Sequence, residues 1–195
     1  MSTTQSAPAK TKNIKRMLNG IDVDFLRATV SAVAADSALA QTRWGVTTHW
    51  SGGARSETRV TSYRIGGQEI QKDFTLRIDE PLELGGTNRH ANPQEVLLAA
   101  LNACMTVGYV AACTLEGIEI EALRFETSGD IDLRGFLGLD PSVKPGYDAL
   151  SYTVYLTAKA TPAQLEKVHD FVCRTSPNRF NLAQPIRLET RLVVG

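Results

Sequence analysis

The spacing of hydrophobic positions changes along the chain, and each change marks an element. Leu26, Val30 and Val33 recur at helical spacing behind Asp22 and Asp24, which suit an N-terminal cap, and predict a helix ending near Ala40. From Arg43 the period becomes two. Trp44, Val46, Thr48 and Trp50 alternate with Arg43, Gly45, Thr47 and His49, the pattern of a strand. Ser51-Gly52-Gly53 is a turn, and a second strand runs on to Ile65 with Arg55, Glu57, Arg59, Tyr63 and Ile65 on one face. After Gly66-Gly67, Ile70, Phe74, Leu76 and Ile78 alternate on a third strand.

Residues 79–91 read as a loop with two adjacent glycines. Asn92 is then a good N-cap, Pro93 suits the first helical position, and Glu95 stands where a capping-box glutamate belongs. Val96 to Leu115 runs without a charge, long enough to span a bilayer. Asn102, Thr106, Gly108, Thr114 and many alanines dilute it, and strands lie on both sides, so the segment reads as the central buried helix of a core. Further strands are expected at Ile118–Ile120, near Leu123–Phe125, at Ile131–Phe136 and, after a Gly/Pro loop over 138–147, at Leu150–Leu156. Thr161-Pro162 opens a second core helix with Leu165, Val168, His169, Val172 and Cys173 along one stripe, and Ile186, Leu188, Leu192 and Val194 suggest a closing strand. The order β-β-β-α-β-β-α-β behind an N-terminal helix indicates an α+β fold with antiparallel pairing. The expected organisation is a disordered basic tail over 1–20, a helical extension over 21–41, and one domain over 42–195.

Composition narrows the class. Across the 195 residues, 21 Lys and Arg balance 21 Asp and Glu, which argues against a nucleic-acid surface. Lys10, Lys12, Lys15 and Arg16 fall in a first stretch free of acids and without an apolar core, so it reads as a solvated tail rather than a signal peptide, with an organellar transit peptide as the alternative. Three cysteines are too few, and odd in number, for a secreted disulfide framework, which points to a reducing cytoplasm and no membrane association. No nucleotide-binding glycine motif, G-x-S-x-G or C-x-x-C is present, and His49, His90 and His169 lack metal-ligand spacing, so neither cofactor nor metal is expected.

Cys104 is the residue on which the chemistry turns. A mid-helix cysteine is ordinarily an inert small hydrophobe, and the helix N-terminus, twelve residues away, cannot lower its pKa. Activation needs a cation from elsewhere. Arg55 and Arg59 are the candidates, though both also fit a solvated strand face paired through Glu57. Cys113 lies nine residues on, about 13 Å along the helix, beyond the roughly 7 Å that a disulfide allows, and reads as core filler.

The stretch DEPLELGGTNRHANPQEVLLAALNAC, followed by LRGFLGLDPSVKPGY and TSPNRF, resembles the OsmC/Ohr family of redox proteins over roughly residues 44–194. The resemblance implies an intertwined homodimer, two long central helices wrapped by sheets, and thiol-dependent reduction of small organic hydroperoxides. It also implies that Cys104 is the peroxidatic thiol, that Arg55 (alternatively Arg59) and Glu95 assist it, and that a second thiol resolves the sulfenic acid. The Ohr-type glutamate would fall at Gln94, and a straight helix places Glu95 about 180° from Cys104, so a pure capping role is the alternative. At the resolving position this chain has Ser176-Pro177 where the family often has Cys-Pro. Cys173 is the substitute if the helix unwinds before Pro177; otherwise an external thiol reductant must act. A non-catalytic, stress-associated binding or thiol-sensing dimer is the rival reading, and acyl transfer, with His90 as its only loop histidine, a third.

Overall fold

A computed structural model describes residues 15–195. The chain opens with a hairpin, β1 (Met17–Leu18) and β2 (Ile21–Asp22), turning at Asn19 and Gly20, both with positive φ. Residues 17–20 of the expected tail thus belong to this hairpin, and its first 14 residues lie outside the described ones. Asn19 is the anchor: its amide donates to Thr114 Oγ1 and the Ile118 carbonyl, and its oxygen accepts from the Ile120 N–H at 2.8 Å. Helix α1 (Val23–Ala35) follows, capped by Asp22, and a 3-10 turn over Ser37–Ala40 replaces the last turn expected of it.

Four strands form an antiparallel sheet. β3 (Thr42–Trp44) and β4 (Thr47–Trp50) both pair with β5 (Ser56–Ile65), which also pairs with β6 (Gln68–Ile78). The single strand expected over 43–50 is thus two, interrupted at Gly45 and Val46. This sheet packs almost wholly within itself and makes no more than marginal contact with the core helices. Trp44, Trp50, Phe74 and Leu76 accordingly stay exposed.

The loop between β6 and the central helix is organised by Asp79. Its buried carboxylate accepts from the backbone N–H groups of Glu80, Thr87 and Arg89 and from the Thr87 hydroxyl. The Thr87 hydroxyl, and after it these N–H groups, hold the Asp79 carboxyl far below its ordinary range, against the opposing effect of burial. The loop closes so tightly that a Cβ on Gly86 would lie 1.8 Å from the Glu80 carbonyl oxygen.

Helix α2 (Pro93–Glu116) starts at the expected capping box, with Asn92 Oδ1 accepting from Glu95 N and Glu95 Oε2 from Asn92 N, each at 2.8 Å. It ends at Gly117 in the left-handed conformation. The antiparallel pair β7 (Ile120–Ser128) and β8 (Ser151–Ala158) and helix α4 (Pro162–Thr175) pack against it. Leu101, Met105, Tyr109, Ala112, Cys113, Val168 and Val172 form the core. The two helices run antiparallel and close: a Cβ on Gly108 would sit 2.9 Å from Val172 Cγ1.

The α+β class and the pair of capped core helices agree with the sequence, and three further expectations do not. Ile131–Phe136 is no strand but contains a turn of helix, α3 (Leu133–Phe136), capped by Asp132. Residues 186–194 form no strand: a strand needs an edge to pair with, and none of this chain's edges receives this segment, which stays exposed. Nor is α2 buried all round. One stripe is covered, while Leu97, Ala100, Ala103 and Val107 on other faces remain open, because the four-stranded sheet does not fold back over them.

Two measurements probe these features. Gly→Ala in an open helix stabilises by about 1 kcal/mol. At Gly108 the fully buried Val172 must move, at a cost of about 1–3 kcal/mol, so urea unfolding of Gly108→Ala should show a net loss. Asp79→Asn cannot accept all four donors and should lower the unfolding midpoint at neutral pH. Because the folded pKa is depressed, Asp79 stabilises above the unfolded carboxyl value of about 4, and the contribution fades as pH falls toward the folded value. The gap between wild type and variant should therefore narrow steadily below about pH 4.

Candidate thiol site

Cys104 sits half-buried at the margin of the covered stripe of α2. What faces it is set by a break in the chain. Pro177 cannot donate a helical N–H and disfavours a helical residue before it, so α4 stops at Thr175. Ser176 takes an extended conformation and becomes the N-cap of α5 (Pro177–Ala183). Its N–H donates back to the Val172 carbonyl and its Oγ accepts from Arg179 N at 3.4 Å. Asn178 Nδ2 ties the new helix to the Ala100 carbonyl at 2.8 Å. Ser176, 4% exposed, thereby lies with Oγ 3.4 Å from Cys104 Sγ. The N-cap bond uses an oxygen lone pair, which leaves the hydroxyl proton free to donate to the sulfur.

The other expected site residues do not meet Cys104 within the chain. Arg55 Nε donates to the Gly52 carbonyl in the β4–β5 turn at 3.2 Å, on the sheet that stands apart from α2. Arg59 pairs with Glu57 at 3.2 Å, and Arg77 shares the same carboxylate at 3.4 Å, so the solvated-face reading describes it. Glu95 is spent on the capping box.

Cys173, the conditional substitute for a resolving thiol, has neighbours other than Cys104. Its Sγ lies 3.5 Å from Tyr152 Oη on β8 and 3.5 Å from His169 Nε2, one turn back on α4. Arg179 Nε donates to Tyr152 Oη at 2.9 Å and its Nη1 to the Cys173 carbonyl at 2.8 Å. His169 Nδ1 is hydrogen-bonded to the hydroxyl of Tyr109, whose phenol burial pushes far above its ordinary value. Burial likewise raises the Cys113 thiol and keeps it protonated. Sequence reasoning passed over Tyr109, Tyr152 and Arg179. The His169–Cys173 spacing of one helical turn was the signal that could have flagged them.

Comparisons place this geometry. The profile of the family described as OsmC-like protein matches residues 86–191, more than half of the chain and inclusive of both Cys104 and Ser176. No curated protein sequence matches. Among solved structures, an OsmC-like protein from Mycoplasma pneumoniae superposes with a TM-score of 0.56 at 15% identity, covering 73% of this chain and 89% of that one. A protein from Psychrobacter arcticus described as an osmotic stress induced and detoxification response protein gives a TM-score of 0.54 at 14% identity, covering 71% and 88%. The shared fold and the family match over the thiol-bearing helices lead to one conclusion: this chain belongs to the OsmC-like protein family.

Proposed function

We propose that the protein is a thiol-dependent reductase of organic hydroperoxides in which Cys104 is the attacking thiol. The observation that carries the reading is the Cys104–Ser176 contact, a half-buried thiol with a hydroxyl donor 3.4 Å away in the family's own helix pair. The Cys104 thiolate attacks the distal peroxide oxygen; the O–O bond breaks, the alkoxide leaves and takes a proton, and a sulfenic acid remains. The Ser176 hydroxyl steadies the sulfur before attack. Ser176 cannot form a disulfide, and Cys173 directs its sulfur to Tyr152 and His169, so an external thiol reduces the sulfenic acid. All three cysteines are free, which suits a reducing cytoplasm.

The active unit in this reading is a homodimer. Support comes from the open faces: the uncovered side of α2, the apolar side chains of the four-stranded sheet and the unpaired segment 186–194. A second copy laid across α2 would cover all three and bring the Arg55 turn to the partner's thiol, where a guanidinium lowers a thiol pKa.

Cys104→Ser should abolish consumption of an organic hydroperoxide followed by alcohol formation, with a trappable sulfenic acid at Cys104 in the wild type. No oxidation at Cys104 in the wild type would favour the binding or sensing dimer, and consumption unchanged by the substitution would overturn the role of Cys104. Ser176→Cys should, after one equivalent of hydroperoxide, yield a disulfide between Cys104 and the introduced thiol on peptide mapping. Light scattering at micromolar concentration should report a dimer; a stable monomer would remove the role given to Arg55.

A further inference from the structure

Cys173 has around it a complete nucleophile arrangement that the reaction at Cys104 does not use. His169 Nε2 lies 3.5 Å from the sulfur, within reach to take its proton. The imidazole is itself oriented, because Nδ1 is held by Tyr109, rooted 1% exposed in the core. A phenolic oxygen both donates and accepts, so Tyr109 can serve the neutral ring and the imidazolium alike. On the other side Tyr152 completes the shell. Arg179 can only donate, so its bond occupies Tyr152 as acceptor and aims the Tyr152 hydroxyl proton at Cys173 Sγ. The sulfur thus faces two donors once the proton has moved, which is the environment of a thiolate. The position at the C-terminal end of α4 and the neighbouring Asp170 oppose that charge, while Arg174 and Arg179 favour it.

Cys173 is partly exposed. An open cleft of about 460 Å³ is lined by Cys173, Asp170, Arg174, Arg179, Phe180 and Gln184. Among the described residues, Asp170 and Arg174 form no ion pair, and they set opposite charges in the lining of the cleft that Cys173 also lines.

We propose that Cys173 is a second reactive thiol, activated by His169, which exchanges with zwitterionic low-molecular-weight disulfides of the amino-acid type. His169 Nε2 accepts the Cys173 proton. The thiolate attacks one sulfur of the disulfide, a Cys173–sulfur bond forms as the original S–S bond breaks, and the departing thiolate takes the proton back from the imidazolium. Cys173 is oxidised and the leaving sulfur reduced, so the exchange needs no further oxidant. Arg174 meets the ligand's carboxylate and Asp170 its ammonium group. The proposal is independent of the peroxide reaction and is tested with Cys104 removed.

Full-length Cys104→Ser is incubated with cystine or with the uncharged bis(2-hydroxyethyl) disulfide, and the adducts are mapped by mass spectrometry across pH. The mixed disulfide should form at Cys173 and not at Cys113, and faster with cystine than with the uncharged disulfide. Adding His169→Gln should slow it about tenfold at pH 7, the two rates converging at high pH where any accessible thiol is ionised. Adding Arg174→Gln instead should remove the preference for cystine. Equal rates with and without His169 at pH 7 would overturn the activation. A preference that survives Arg174→Gln would overturn the ligand assignment.

Discussion

The close approach of α2 and α4 at Gly108 is the constraint on which the surroundings of both Cys104 and Cys173 depend. With hydrogen in place of a side chain, Val172 comes down onto the α2 backbone and locks the two antiparallel helices in one register. Everything at that interface then follows from the register. Four residues toward the start of α2, Cys104 falls opposite Ser176; one residue toward its end, Tyr109 falls opposite His169. A slip of one turn would separate both pairs. Packed cores do not deform gradually, so the register is effectively all or none.

The second determinant is the Ser176-Pro177 break. Proline ends α4, and the same serine that closes one helix opens the next. That double cap fixes the serine hydroxyl in direction as well as position, turning it to Cys104 while the helix before it turns Cys173 toward β8. The three residues of chain from Cys173 to Ser176 are enough to give the two sulfurs different neighbours. Cys104 has a single hydroxyl beside it, and Cys173 has an imidazole and a phenol. Their reactivity is therefore separable, and each can be read without the other.

The open faces complete the picture. A central helix that is apolar on every side, covered along only one stripe, carries an uncovered apolar cost unless something packs there. The sheet holding Arg55 and the segment 186–194 share the same unfinished state, which is why the homodimer reading treats them together.

Features that close over a few residues were legible in the sequence. The capping box at Asn92, the cap-and-proline start at Thr161, the glycine turn after β5 and the alternation of β5, β6 and β8 all depend on local bonds or local periods, and the structure realises each. The family itself was legible too, in the stretch that ends at Cys104. What only the tertiary structure decided is whatever needs a distant partner. Alternation at 186–194 announces a strand but not an edge to receive it. Apolar residues all round α2 announce burial but not by what. The helical stripe of α4 put Cys173 on the core side without saying that Tyr152 and Arg179, from two other elements, would surround it. Local hydrogen bonds leave a pattern a few residues long; contacts between elements leave none until the helices choose their register.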